Sequence, residues 1–383
     1  MTYLSKLAFE QADKAAYVGV LEEIRARRAE FTKLRHVPLD MVKKLQQIGA
    51  YRAFVPARFG GDELSPADFC RLIEDISAAD ASTGWVASFG VSATYLAALP
   101  PETYAAIYGK DSDTVFAGAM FPPQKAEKVA GGFKVSGRWP WCSGIMGSSI
   151  VGMGIKVEGD DTPLPRVAVM PRDKVTVDET WNTIGLSATG SHDAVAEGVV
   201  VAPEWTFIRG GKPLLDDAIF RFPAMALAAQ VLAVVALGAA REALDFLVED
   251  ARQRASITGA PNPGARPYVQ AEFAKAQGIL MGARAAFYDT IEAGWDELNT
   301  TGEVSPDMKI RLRLVATKAA RDGAEVARMA FVIGGSGVMA TGHTLGRCMV
   351  DAACVAQHAF MGEGTWTAAG AGFFDQPTMP GYP

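Results

Sequence analysis

The strongest constraint on this chain is a hydrophobic period that changes twice. Over residues 1–112 apolar side chains recur at helical spacing, among them Leu21, Ile24, Ala29, Phe31, Met41, Leu45 and Ile48, with charges between them. From Thr114 the pattern turns to short β-rich runs at 114–118, 133–137, 149–157, 166–170 and 194–201, punctuated by glycines, prolines and Asp160-Asp161. After Pro203 helical spacing returns, at 224–254, 269–299, 306–333 and 344–360. Helices and strands that are segregated in this way do not interleave into a parallel sheet. The order predicts an α+β protein with an N-terminal helical domain at 1–112, a β-domain at 113–207 and a C-terminal up-and-down four-helix bundle at 208–383.

Local signals agree with that order. Ser65-Pro66 and Ser305-Pro306 each place an N-cap before a proline at the first helical position. Pro100-Pro101 closes one alanine-rich helical pattern over 66–99, and Gly131-Gly132 marks a turn between strands. Gly334-Gly335 caps the helix that begins at Pro306.

Composition excludes several functions. Across 383 residues, 37 Lys and Arg stand against 43 Asp and Glu, a net charge of −6. The densest basic runs, Arg25 to Arg28 and Lys309 to Arg313, read as solvated helix faces, so no nucleic-acid partner is expected. Four cysteines form no CxxC pair, and Cys348 and Cys354 are six apart, which fits no zinc spacing. No metal site is expected, and cysteines this sparse suit a reducing cytosol. Met1 to Lys6 lacks a basic region followed by an apolar run. The stretch 224–240, apolar apart from Gln230, runs straight into Arg241-Glu242 and reads as a core helix rather than a membrane span. A soluble, cytoplasmic protein without a membrane partner is expected. No GxSxG, HExxH or Walker loop is present, and Gly334 to Gly337 follows a helix, so it opens no dinucleotide-binding βαβ unit.

Five stretches fall in register with one known family. Arg52 to Gly61, with Pro56 and Gly60-Gly61, Gly137 to Gly144, Trp181 to Glu204 with Gly185, Thr189 and Ser191, Gly334 to Gly337, and the closing helix resemble the acyl-CoA dehydrogenase superfamily over nearly the whole chain. The resemblance implies that superfamily's fold: an N-terminal helical domain, a central β-barrel-like domain and a four-helix bundle. It also implies a flavin and a homotetramer, in which the turn carrying Gly334, Gly335 and Gly337 approaches another subunit's flavin.

Within the superfamily the dehydrogenase glutamate is missing. Its two usual positions align with Ala359 and Phe220, and Glu363 lies four residues too late. Arg347, Asp351 and His358 are present instead, at a spacing that predicts one shared face of a single last helix. Asp351 with His358, Trp139 to Gly144 and Thr189 to Asp193 resemble the two-component flavin-dependent monooxygenases built on this fold. That branch implies the oxygenase half of a pair, fed with reduced FAD or FMN by a separate NAD(P)H:flavin reductase. O2 would be the co-substrate, and an aromatic or heteroaromatic small molecule would be hydroxylated or epoxidised through a C4a-hydroperoxyflavin.

In those terms His358 and Ser143 are the catalytic candidates, Ser143 at flavin N5 and His358 at the peroxide. Trp141, Thr189, Ser191 and His192 would line the flavin, and Arg347 and Asp351 would support the site. Ser92 and Tyr95 fall where the substrate is expected. Phenol hydroxylases of this branch carry a second histidine about where Ser92 stands, so an indole-like or fused aromatic substrate is favoured over a simple phenol. Two alternatives remain open: an acyl-CoA dehydrogenase with a displaced base, and a non-catalytic flavin-binding scaffold.

Overall fold

A computed structural model describes residues 11–378 apart from 160, 161, 163, 254–258 and 260. The Met1 to Lys6 segment, the Asp160-Asp161 turn and the helix end at Arg254 lie outside the described residues. The N-terminal part consists of α1 Gln11–Leu34, α2 Leu39–Gln47, α3 Pro66–Ala79, α4 Ala81–Ala87, α5 Ser92–Leu96 and α6 Pro101–Tyr108. The Ser65 hydroxyl caps α3 by accepting from the Asp68 N–H.

The pattern over 66–99 is not one helix. It breaks at Asp80, where an extended backbone (φ −161°, ψ 122°) ends α3 and begins α4. The Asp80 carboxylate accepts from both the N–H and the hydroxyl of Thr83, at 2.9 and 2.8 Å. Alanine propensity favours helix on both sides, but a carboxylate that satisfies the orphan donors of a new first turn makes the break the better local solution.

The middle of the chain is one seven-stranded sheet. Its strands are β1 Phe116–Val129, β2 Gly132–Cys142, β3 Ile150–Val157, β4 Arg166–Pro171, β5 Thr176–Asp178, β6 His192–Val201 and β7 Thr206–Ile208. Gly131 and Gly132 turn β1 into β2 at φ 89° and 143°, values that only glycine adopts readily. The spatial order is β5-β6-β2-β1-β3-β4-β7, with β1 and β3 parallel and the other pairs antiparallel. Strands β4 and β6, four places apart in that order, approach each other, so the sheet curls around its own core. That core holds Trp139, whose indole N–H donates to the Gly154 carbonyl at 2.7 Å.

The C-terminal part begins with the short α7 Ala218–Arg221. It continues as a bundle of α8 Ala224–Gln253, α9 Pro267–Thr301, α10 Pro306–Gly334 and α11 Thr344–Ala356, closed by α12 Glu363–Phe373. Helix α8 is apolar enough to cross a membrane, yet 83% of its most apolar window is buried inside the protein. It passes so close to α3 that a Cβ at Gly238 would lie 2.6 Å from the Glu74 carbonyl. The Glu74 carboxylate itself is buried between α3, α8 and α9, where Arg241, Arg284 and the Tyr288 hydroxyl donate to it.

The last helix is shorter than its sequence pattern. Helix α11 stops at Ala356, and His358 is the extended N-cap (φ −62°, ψ 144°) of a separate 3₁₀ turn, Ala359–Met361. The expectation that Arg347, Asp351 and His358 share one helix face is therefore corrected. The His358 ring accepts the Phe360 N–H, which offers that donor an alternative to a helical carbonyl.

Candidate active site

The sheet and the helices meet at the end of β2. A register irregularity between Trp139 and Cys142 falls at this end, and Trp141 sits there at φ 61°, unusual for a bulky residue. The turn sends the Trp141 side chain outward, 67% exposed, and buries Ser143. The Gly144 N–H donates to the Thr189 carbonyl at 2.8 Å, which ties this end of β2 to the segment before β6.

Four donors then line up in one direction. The Thr189 hydroxyl donates to the Leu186 carbonyl at 2.9 Å, which uses its only proton. Its oxygen lies 2.6 Å from the Ser191 hydroxyl, so Ser191 is the donor of that pair. Ser191 in turn lies 2.6 Å from Ser143, so Ser143 is the donor there. The Trp85 indole N–H donates to Ser143 at 3.3 Å. Ser143 has thus given away its proton and keeps one lone pair, so toward a ligand it acts only as an acceptor.

Leu186, where the chain ends, is held from behind. It occupies the left-handed region at φ 50°, and its N–H donates to the buried Asp351 carboxylate at 2.6 Å. Gly185 permits this approach, since a Cβ there would meet the Val350 carbonyl of α11 at 2.5 Å. Burial first, then Asp80, pushes the Asp351 pKa up to about 7, against the Leu186 N–H and Arg347. Arg347 lies one turn before Asp351 on α11. Burial works against its charge, but Cys348, Asp80 and Asp351 outweigh that and raise its pKa.

His358 also contacts Trp85. The two rings are 5.6 Å apart in an edge-on arrangement, and Phe360 lies 4.9 Å from the imidazole. Burial first, then Arg209 and Arg313, pushes its pKa down to about 4. Nδ1 accepts from the Phe360 N–H, so the neutral ring carries its proton on Nε2. His358 is therefore a hydrogen-bond donor at neutral pH and not an acid. Arg313 lies 5.2 Å over the Phe360 ring and Arg209 4.5 Å over the Tyr95 ring.

The remaining candidates fall into place unevenly. Ser92 and Tyr95 lie on α5, Ser92 buried and Tyr95 half-buried beneath Arg209. His192 is fully buried: Nδ1 accepts from the Trp181 N–H at 3.1 Å, and Nε2 has no partner among the described residues. Gly334 packs against Leu345 at the start of α11, and Gly334, Gly335 and Gly337 lie far from the Arg313 end of the cluster within one chain. They end α10 some 21 residues from Arg313, roughly 30 Å along the helix. Phe220 is buried against Tyr104, and Glu363 is exposed and paired with Arg321 at 3.2 Å. Neither dehydrogenase position, Phe220 or Ala359, supplies a base. Sequence reasoning missed Trp85, Arg209 and Arg313; the contacts that mark them, Trp85 with Ser143 and His358, Arg209 with Tyr95 and Arg313 with Phe360, join residues far apart in the chain.

Comparison with known proteins bears on the same residues. Residues 12–101 match the family model "Acyl-CoA dehydrogenase, N-terminal domain", and residues 230–363 match "Acyl-CoA dehydrogenase, C-terminal domain". An indole-3-acetate monooxygenase of Pseudomonas putida is 52% identical over 99% of this chain and 97% of its own. The chain belongs to the acyl-CoA dehydrogenase family. Within it, this member is a flavin-dependent monooxygenase, an oxygenase component acting on an aromatic substrate with O2. The oxygenase subunit HsaA of Rhodococcus jostii, described as a flavin-dependent monooxygenase, is 34% identical over 48% of each chain. The crystal structure of 3-HSA hydroxylase from Rhodococcus sp. RHA1 superposes with a TM-score of 0.88 at 25% identity, over 96% of this chain and 98% of that one.

The residues present fit a flavin. The acceptor-only Ser143 suits the N5 hydrogen of a reduced flavin, and the outward Trp141 indole offers a flat wall beside it.

Proposed function

We propose that the protein oxygenates indole-3-acetate or a closely related arylacetate, with reduced FAD or FMN delivered by a separate NAD(P)H:flavin reductase. The activity of the 52%-identical relative supports the substrate. The observation that carries the chemistry is the pairing of Ser143 and His358 around one indole, Trp85, with no carboxylate at either dehydrogenase position. Reduced flavin supplies the electrons that activate O2. Ser143 accepts the N5 hydrogen, Thr189 and Ser191 fix the orientation of that hydroxyl, and Asp351 holds the loop that anchors them. His358 offers its Nε2 hydrogen to the oxygen being transferred, and Trp85 and Phe360 keep water from it. Trp141 and His192 line or back the flavin, Arg347 steadies Asp351, and Ser92 and Tyr95 border the substrate.

A homotetramer in the cytoplasm completes the proposal. The exposed turn Gly335 to Gly337, far along the bundle from Arg313 in its own chain, would then serve the flavin of a neighbouring copy. The test is turnover of indole-3-acetate with a flavin reductase, NADH and ¹⁸O2, followed by mass spectrometry. Incorporation of one ¹⁸O atom is expected. Formation of hydrogen peroxide alone, with indole-3-acetate recovered unchanged, would refute the assigned substrate.

A further inference from the structure

Arg209 follows β7, and its backbone N–H is fixed to the Pro165 carbonyl at 3.0 Å. Its guanidinium lies 4.5 Å over the Tyr95 ring, half-buried, and pairs with no carboxylate among the described residues. A guanidinium partly withdrawn from water and without a counter-ion carries a charge that is only partly hydrated and not neutralised, and an anionic partner would stabilise it. The second cation here, Arg313, is almost fully buried, stacks on Phe360 and donates to the Met225 carbonyl at 3.2 Å. Both arginines lie near enough to His358 to disfavour a positive charge on its ring. The reacting end of the site therefore carries two fixed positive charges and a neutral imidazole.

We infer that Arg209 is the carboxylate-recognising residue of the substrate site, holding an arylacetate side chain by a charge-assisted hydrogen bond while the aromatic ring lies toward His358. The inference rests on the arylacetate reading above. Tyr95 engages the guanidinium through its ring face and by a side-chain hydrogen bond, and the remaining N–H groups suit a planar carboxylate. Arg313 adds to the field that attracts the anion, and Tyr95 sets the distance between Arg209 and the rest of α5. Recognition of this kind separates indole-3-acetate from indole, which carries the same ring and no charge. The same guanidinium chemistry would suit a flavin phosphate, so the test must tell the two anions apart.

The experiment compares wild type with Arg209→Gln and Arg209→Lys, and with Lys212→Gln as a control for general charge in the same loop. Each is assayed for kcat and KM with indole-3-acetate and with 3-methylindole, and for binding of reduced FMN against reduced riboflavin. Arg209→Gln is expected to lower the preference for indole-3-acetate over 3-methylindole by roughly 10- to 100-fold, mostly through KM. Arg209→Lys should recover part of that preference, and Lys212→Gln should not move it. An unchanged preference overturns the assignment, as does a loss of FMN binding relative to riboflavin without any change in preference. A wild-type enzyme that oxygenates 3-methylindole but not indole-3-acetate removes the carboxylate subsite and leaves the monooxygenase standing. Oxygenation of neither shows that the arylacetate reading itself has failed, and the subsite falls with it.

Discussion

Replacing Ser191 with alanine isolates the polarity of the hydroxyl chain. In the native protein Ser143 donates to Ser191 and accepts from Trp85, so its remaining lone pair suits an N–H and repels another lone pair. Reduced flavin carries a hydrogen on N5, whereas oxidised flavin presents a lone pair there. Ser191→Ala removes the acceptor, and the Ser143 hydroxyl is then free to rotate and donate. One such hydrogen bond is worth about 0.5–1.5 kcal/mol net. The ratio of dissociation constants, oxidised over reduced, should therefore fall by roughly 2- to 10-fold. Anaerobic titrations of the same protein with oxidised and chemically reduced flavin, followed by absorbance and fluorescence, measure both constants. The fold should tolerate the change, because Thr189 keeps its own bond to the Leu186 carbonyl. Equal weakening of both redox states, or a ratio that does not move, would refute the one-way chain.

Three further outcomes are expected, at His358 and Asp351. With a pKa of about 4, His358 stays neutral above pH 6, so the fraction of oxygen converted to product should show no inflection near pH 6.5. His358→Ala should lower that fraction about 10- to 100-fold with a matching rise in hydrogen peroxide, and an oxygen electrode with product chromatography reads both. Asp351 titrates near 7 in the folded protein against 3.8 for a free carboxyl. The native state thus holds a proton that the unfolded chain has released between about pH 4 and 7, and stability falls as pH rises through that window. Asp351→Asn keeps an acceptor for the Leu186 N–H and removes the titration. It should be more stable than wild type at pH 8, on the order of 2 kcal/mol, with little difference at pH 4. Equal melting temperatures of the two proteins at both pH values would show that Asp351 does not titrate as described.

The sequence by itself determined the architecture and half of the site. Period is a local property: helical spacing before Thr114 and after Pro203, with β-rich runs between, leaves little choice of layer order. Motif spacing around Ser143, Thr189 and Ser191 was local as well, because a single segment carries two of the three hydroxyls and a β6–β2 pairing brings the third. Helix continuity was not legible in the same way. Alanine-rich composition over 66–99 and helical spacing through 358 both favour unbroken helices, and in each case a side-chain acceptor, Asp80 or His358, ends the run.

The tertiary structure alone decided the character of the chemistry. Whether His358 is an acid or a hydrogen-bond donor depends on burial and on Arg209 and Arg313, which lie 149 and 45 residues away in the chain. Whether Ser143 donates or accepts depends on a carbonyl at Leu186 and an indole at Trp85, neither in its own strand. Protonation and donor direction are set by neighbours in space, through desolvation and through the count of protons along a chain, and no spacing rule in one sequence carries that information.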